Sequence, residues 1–197
     1  MLALLTIFAA LSTSIIAAPS SLTLFDPSGD FDYQIGGAFT PVSSVTTVSR
    51  DRADSPVKGL YNICYVNTFQ SQSGSDKAWW EKNAASLLLQ QNGKPYLDPD
   101  WDEYIFNTST VANRNALAAI VKPWIDECAS KGFNAIEPDN LDTYTRFKQL
   151  SKADNVAFAK ILSDYAHSKN LAFGQKNTAE LKQADKTAGG FDVSVHS

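Results

Sequence analysis

The sequence predicts an α/β fold, namely a TIM-type (β/α)8 barrel. Segments rich in β-branched and aromatic residues alternate along the chain with segments of helical periodicity, which is typical of parallel strands joined by right-handed crossovers. Polar residues directly follow several of these strands, as they do at the carboxyl-terminal face of such a barrel. Neither Gly-x-Gly-x-x-Gly after a strand nor a P-loop occurs, which disfavours a doubly wound nucleotide-binding sheet.

Composition and charge exclude several classes of protein. The chain has 197 residues, of which 44% are hydrophobic and 19% charged, so it can bury the core of one domain and is not intrinsically disordered. Its formal net charge is −4. Without an excess of lysine and arginine it is poorly suited to bind phosphate backbones, so we expect no nucleic-acid partner. We expect a monomer.

The N-terminus predicts export from the cell. Residues 2–18 carry no charge, are rich in Leu, Ile and Ala, and end in small residues before Pro19. This pattern indicates a signal peptide at residues 1–18, cleaved after Ala17 or Ala18, and a secreted barrel domain at 19–197. The alternative is an amphipathic or anchoring N-terminus. The apolar run is short and interrupted by Thr and Ser, so we expect no membrane span in the mature protein.

The first half of the chain is dominated by strands. β-branched and aromatic residues mark them, and an Asn-Gly pair is expected to end the first helix. The expected elements are strands at 33–39, 42–49 and 60–69, a helix at 79–91 and a short strand at 103–107.

The second half alternates more regularly between helix and strand. A continuous apolar stripe predicts a long helix at 110–131, which Gly132 ends and Pro123 is expected to kink or split. Ser151 and Asp154 resemble a capping box at the start of another helix. The remaining expected elements are strands at 133–137, 171–175 and 191–195 and a helix at 178–186.

The two cysteines leave two readings open. Cys64 lies in a predicted strand and Cys128 on the apolar face of a predicted helix. Export permits a disulfide between them, whereas their apolar surroundings are equally compatible with two buried free thiols. Asn107 begins a glycosylation sequon.

The best candidates for catalysis follow the strand at 133–137. Glu137 and Asp139 lie two residues apart and therefore share a face of an extended chain. Glycosidic cleavage usually needs two carboxyl groups, and Asp139 is the first candidate, with Glu137 the second. Alternatively, Asp139 and Asp142 only cap the following turn, and Glu137 only orients its neighbours.

Polar and aromatic residues at the other strand ends are typical of a sugar site. Amides, amines and carboxylates bind hydroxyl groups, while aromatic rings stack on sugar faces. The Trp79-Trp80 pair is either such a platform or one core residue beside one surface residue. The candidate substrate-binding residues are Asp32, Tyr33, Asn67, Asn140, Asp142, Tyr144, Lys176 and Asn177.

Other site types receive little support. The acidic run 98–103 resembles the start of a calcium loop, but Glu103 replaces the required glycine and Ser109 stands at the twelfth position. His167 and His196 lack the spacing of metal ligands. We expect no metal and no cofactor.

Seven segments resemble glycoside hydrolase family 114, the endo-α-1,4-polygalactosaminidases, and its secreted fungal-type members above all. The combination of EPDNLD at 137–142 with GQKN at 174–177 is specific. The matching segments are DYQIGGAF at 32–39, VSRDR at 48–52, GLYNICYVNTFQSQ at 59–72, DPDWDEYIFNTST at 98–110, WIDECASKGFNAIEPDNLDTYTR at 124–146, AHSKNLAFGQKN at 166–177 and GFDVSV at 190–195.

The resemblance implies a TIM-type barrel that hydrolyses galactosamine-rich polysaccharide within the chain. It implies a catalytic role for Asp139, with the Asp32-Tyr33, Asn67 and 175–177 edges around the substrate. A deacetylated galactosamine polymer is cationic, so an acidic edge that includes Asp142 would attract it.

The sequence also departs from the family. A (β/α)8 domain typically needs about 250 residues, so we expect a barrel that is incomplete at its C-terminus. Ser197 stands about where the family supplies a second catalytic glutamate. We therefore expect a weakly active or inactive hydrolase, and a non-catalytic carbohydrate-binding remnant is the alternative. A third hypothesis is a different hydrolase that uses Glu137 and Asp139 as its acid pair.

Overall fold

The computed structural model describes residues 22–195. Their main feature is a six-stranded, all-parallel sheet with the strand order β1-β2-β3-β8-β9-β10. The predicted signal peptide lies outside the described residues. The strands of this sheet are β1 (Asp30–Gln34), β2 (Val45–Asp51), β3 (Tyr61–Asn67), β8 (Ala135–Asp139), β9 (Ala172–Lys176) and β10 (Val193–Val195).

Helices and two short hairpins connect these strands. Both hairpins lie between β3 and the longest helix, so this crossover is the most elaborate of the fold. The helices are α1 (Ser75–Asn83), α2 (Val111–Lys131), α3 (Thr143–Arg146), α4 (Lys152–Ser168) and α5 (Gln183–Gly189), with a 3-10 turn at Ala85–Leu87. The hairpins pair β4 (Gln90–Gln91) with β5 (Lys94–Pro95) and β6 (Leu97–Asp98) with β7 (Glu103–Tyr104).

The sheet curves as part of a barrel, which confirms the predicted fold class. On its outer face, apolar residues such as Val66, Ile136 and Phe173 pack in one core with α2 and α4. Its inner face is polar near the carboxyl ends of the strands. There Nζ of Lys176 in β9 lies 2.9 Å from Oη of Tyr33 in β1, although three strands separate β9 from β1 in the sheet. Such a contact across the interior requires strong curvature.

The long helix α2 has the predicted ends. Oγ1 of Thr110 accepts a hydrogen bond from the N–H of Asn113, and Gly132 ends the helix in the left-handed region with φ 91°. Pro123 does not split the helix, contrary to one of our expectations. The buried face on either side of Pro123, which includes Val121 and Ile125, packs against the sheet and offsets the one missing backbone hydrogen bond.

The helix predicted at 79–91 is wrong in its position. Helix α1 begins earlier and ends at Asn83, because Ala84 has extended φ and non-helical geometry. Asn92 and Gly93 both have positive φ and form the two-residue turn of the β4–β5 hairpin. An Asn-Gly pair favours this turn as strongly as it favours a helix end, and the alternation of the flanking residues was too short to distinguish the two.

The helix predicted at 178–186 is also displaced. Asn177 and Thr178 have φ of 48° and 52°, so the chain turns there and helix α5 begins only at Gln183. The strands are shifted by smaller amounts. In particular, β8 continues through Pro138 to Asp139, since proline at this position still pairs in register with Val66.

The two cysteines form a disulfide. Sγ of Cys64 in β3 and Sγ of Cys128 in α2 are 2.08 Å apart, and both residues are fully buried. This decides between the two readings that the sequence left open. No helix within residues 22–195 is long and apolar enough to cross a membrane.

Candidate active site

The carboxyl ends of the parallel strands surround a cavity of about 380 Å³. Its lining includes most of the residues proposed from the sequence together with others that were not foreseen. The foreseen residues are Tyr33, Asp139, Asn140, Asp142, Lys176 and Asn177. The additional ones are Ile35, Tyr65, Asp100, Trp101, Glu103 and Arg146.

Asp139 is the carboxylate at the end of β8, and its side chain is 20% exposed. Oη of Tyr65 donates a hydrogen bond to Oδ2 of Asp139 at 2.5 Å. Nζ of Lys176 lies 3.8 Å from Oδ1. Tyr65 and Lys176, which both belong to the sheet, thus hold the Asp139 carboxylate, and this carboxylate lines the cavity.

Glu137 lies one layer deeper than Asp139 and does not line the cavity. It is fully buried and accepts hydrogen bonds from Oη of Tyr33 at 2.9 Å, Oγ of Ser49 at 2.6 Å and Nζ of Lys176 at 2.6 Å. This environment favours the interpretation that Glu137 orients its neighbours.

Lys176 contacts both carboxylates, that of the buried Glu137 and that of the partly exposed Asp139. Its side chain is only 3% exposed, and its ammonium lies between Glu137 and Asp139 and above the ring of Tyr33. Burial, together with the nearby carboxylates, raises the pKa of Tyr33 and of Tyr65. Both phenols therefore stay protonated and act as hydrogen-bond donors to the carboxylates at neutral pH.

Asn67 supports the floor of the cavity. Its Oδ1 accepts a hydrogen bond from Nδ2 of Asn140 at 2.9 Å, and its Nδ2 donates to Oε2 of Glu103 at 3.0 Å. Asn140 follows Asp139 directly and has a left-handed φ of 64°, a conformation that asparagine tolerates better than most residues. Asn67 thereby connects the segment that carries Asp139 with the segment that carries Glu103.

Glu103, at the start of β7, is the carboxylate that sequence reasoning missed. Its Oε2 accepts hydrogen bonds from Asn67 and from Nε2 of Gln70, the latter at 2.9 Å. Burial raises the pKa of Glu103 to about 7; the two amides oppose this change, while the charges of Asp139 and Asp98 add to it. The acidic run 98–103 was the available signal, but it resembled an imperfect calcium loop.

Arg146, the last residue of the short helix α3, also lines the cavity. Its guanidinium donates to Oδ2 of Asp98 at 2.6 Å and to Oδ1 of Asn140 at 2.8 Å, and it lies 3.2 Å from Oδ1 of Asp142. Trp101 lies at the rim and is 67% exposed. The cavity thus has an exposed aromatic ring above a floor of charged and amide groups.

Three of the predicted substrate-binding residues lie outside this lining. Asn67 is one of them, although it contacts the lining residues Asn140 and Glu103, and the other two are Asp32 and Tyr144. Asp32 accepts a hydrogen bond from Nε2 of Gln34 at 2.8 Å, because it alternates with Tyr33 and so faces the other side of β1. Tyr144 donates to a carboxylate oxygen of Glu180.

The tryptophan pair consists of one core residue and one surface residue. Trp80 is fully buried and Trp79 is 44% exposed, and neither lines the cavity. Of the two histidines, His167 is hydrogen-bonded to Asp192 at 2.7 Å. Across residues 22–195 no group of three or more His, Cys, Asp or Glu side chains is arranged to hold a metal ion.

The model of one family, described as glycoside-hydrolase family GH114, matches residues 13–196. No curated protein matches the chain. Among solved structures, the chain is similar to Aspergillus fumigatus Ega3 in complex with galactosamine, with a TM-score of 0.68 and 22% identity over 85% of this chain. It spans 66% of the Ega3 chain.

A bacterial structure shares the same fold. The glycoside hydrolase domain of PelA from Pseudomonas aeruginosa gives a TM-score of 0.52 and 14% identity, and the match covers 91% of this chain and 67% of the PelA chain. At such identities the similarity concerns the fold, while the family match extends over nearly the whole sequence.

Proposed function

Because the chain belongs to glycoside-hydrolase family GH114, we propose that it hydrolyses α-1,4 bonds of a galactosamine-rich polysaccharide. The observation that carries the proposal is the position of Asp139, a carboxylate at the mouth of a polar cavity, held by Tyr65 and Lys176. The Ega3 structure, which has a similar fold, contains galactosamine. The galactosamine in that structure supports an amino sugar as the substrate.

In this proposal Asp139 is the carboxylate that acts at the scissile bond. Cleavage needs a group that attacks the anomeric carbon or activates water, and a second group that protonates the leaving oxygen. Glu137 is not a suitable second group, because it is fully buried and bound by three donors. We assign Glu137 the positioning of Lys176 and Tyr33, which in turn face the substrate.

The cavity walls suit a polymer of hydroxylated, cationic rings. Asn140, Asp142 and Asn177 provide polar groups, and Tyr33 provides an aromatic ring beside Lys176. Trp101 at the rim offers an exposed ring on which a further sugar unit can stack. We expect the polysaccharide to be the main partner and the protein to act as a monomer.

We further propose that the protein is secreted, with a signal peptide at 1–18 and the mature domain at 19–197. Residues 2–18 have the uncharged, apolar composition of such a peptide. The Cys64–Cys128 disulfide supports the proposal, since disulfides persist in oxidising compartments.

Incubation of the purified protein with α-1,4-linked polygalactosamine tests the proposed hydrolysis. We expect slow release of oligosaccharides, in keeping with the weak activity expected from the sequence. We expect Asp139→Asn to reduce this rate by about 10²–10⁴-fold, because it removes a group that acts in proton transfer. Asp102→Asn removes an exposed carboxylate outside the cavity lining and serves as the matched control.

Two other outcomes are informative. Binding of the polymer without any cleavage would support the alternative function, a carbohydrate-binding remnant of the barrel. Cleavage that persists unchanged in Asp139→Asn would contradict the assignment of Asp139.

A further inference from the structure

Most charged groups that line the cavity or lie directly beneath its lining form ion pairs. Arg146 forms ion pairs with Asp98 and Asp142, while Lys176 forms one with Glu137 and lies 3.8 Å from Asp139. Asp100 has no cationic partner among the described residues, but it is exposed at the rim, where solvent screens its charge. Among the cavity-lining carboxylates of the described residues, Glu103 is therefore the one that is partly buried and has no ion pair.

Glu103 is a half-buried carboxylate that no cation of residues 22–195 approaches within salt-bridge distance. Its two hydrogen bonds, from Asn67 and Gln70, both reach Oε2 and come from neutral amides. These amides fix the orientation of the carboxylate without neutralising it. Oε1 makes no hydrogen bond with the described residues, although Glu103 lines the cavity.

We propose that Glu103 determines specificity for an amino sugar, its carboxylate accepting hydrogen bonds from the ammonium group of a sugar unit bound in the cavity. This inference rests on the proposed function, because it concerns the substrate of the same site. An ammonium group donates up to three hydrogen bonds and carries the charge that the carboxylate lacks. A neutral N-acetyl group would leave Glu103 without a counter-charge.

The titration of Glu103 agrees with this role. A group whose pKa burial raises to about 7 is partly protonated at neutral pH before an ammonium group binds. The ionisable groups that face it are Asp98 of β6, Asp139 of β8 and Tyr65 of β3, and none of them is a cation. A bound ammonium would favour the charged carboxylate, so that binding releases a proton in weakly acidic solution.

The experiment compares two oligosaccharides of equal length, α-1,4-linked galactosamine and its fully N-acetylated form. Affinities are measured by calorimetry at pH 6 on Asp139→Asn protein, which prevents cleavage during the titration. We expect this protein to bind the free-amine oligosaccharide about tenfold or more tightly than the acetylated one. A hydrogen bond between charged groups contributes a difference in affinity of this size. Adding Glu103→Gln should reduce the preference to about twofold or less and leave the affinity for the acetylated oligomer unchanged.

Matched variants separate a local effect from a general change of charge. Asp102→Asn removes the same charge one residue away, at an exposed position whose positive φ asparagine tolerates, and should keep the full preference. Glu103→Asp retains the negative charge and should keep part of the preference for the free amine. Proton release measured with Glu103 intact, in two buffers of different ionisation enthalpy, should occur with the amine form only.

The outcomes distinguish the inference from the function on which it rests. If the preference survives Glu103→Gln, or if both oligomers release protons alike, the role of Glu103 is refuted, whereas cleavage by the wild-type protein would still support the hydrolase. If neither oligomer binds and the wild-type protein cleaves no polymer, both proposals fail.

Discussion

Lys176 is the residue on which the electrostatics of the site depends. Its ammonium is the only cation of the described residues within salt-bridge distance of Glu137, which is fully buried. Replacing Lys176 by methionine leaves that carboxylate without a counter-charge, so we expect a loss of about 3–5 kcal/mol of unfolding free energy. Urea denaturation monitored by tryptophan fluorescence measures the loss.

The matching double variant tests the cause. Glu137→Gln combined with Lys176→Met removes both charges, and we expect it to be more stable than Lys176→Met alone. A double variant that loses the sum of the two single effects would show that the charges do not interact, contrary to their separation of 2.6 Å.

Glu103 predicts a pH dependence of stability. Its carboxyl group titrates near 4.5 in the unfolded chain and at about 7 in the folded protein. Between these values the folded state binds more protons, so its stability falls as the pH rises. Solvent screening of this half-buried group limits the effect to about 1 kcal/mol.

Comparison of unfolding free energies at pH 5 and pH 8 tests this expectation. Glu103→Gln should show a smaller decrease between the two values than the wild-type protein, because glutamine does not titrate. Asp102→Asn should behave as wild type. A Glu103→Gln variant with an unchanged pH dependence would be inconsistent with the raised pKa.

The disulfide is the strongest single connection between two elements, since it joins β3 of the sheet to α2 of the outer layer. Its loop spans 64 residues, and the chain-entropy model assigns a bridge of this length roughly 4 kcal/mol of stabilisation. We expect Cys64→Ala with Cys128→Ala to lower the unfolding free energy by about 2–5 kcal/mol. Thermal denaturation of the double variant, with reduced wild-type protein as a reference, measures it.

The helices and strands show which parts of the fold the sequence could predict. Strand ends were predictable, because the apolar runs stop where polar residues begin, and this identified Asp139 and Lys176, which line the same cavity. The segment between β3 and α2 was not predictable in the same way. Each strand of its two hairpins has only two residues, which is too short to show a periodic pattern. The Asn92-Gly93 turn and the position of Glu103 therefore depend on tertiary pairing.

The same limit applies to contacts between distant segments. Arg146 meets Asp98 across 48 positions, and Tyr65 meets Asp139 across 74. Neither pair has a spacing that helix or strand periodicity can reveal, since each depends on how crossovers bring sheet edges together. Local patterns therefore identified the carboxylate at the centre of the site but not the groups that hold it.

For the whole molecule, the net charge of −4 and the carboxylates of the cavity predict that the association with a cationic polymer depends on ionic strength. Salt shortens the range of the attraction, from about 30 Å at 0.01 M to about 8 Å at 0.15 M. We expect the association rate constant for polygalactosamine to fall by about tenfold or more over this range, while dissociation changes less. Stopped-flow measurement on Asp139→Asn protein provides both rates, with Trp101 at the rim as the fluorescent reporter. The fully N-acetylated polymer, which is neutral, should show almost no salt dependence, and equal slopes for the two polymers would rule out electrostatic attraction as the basis of recognition.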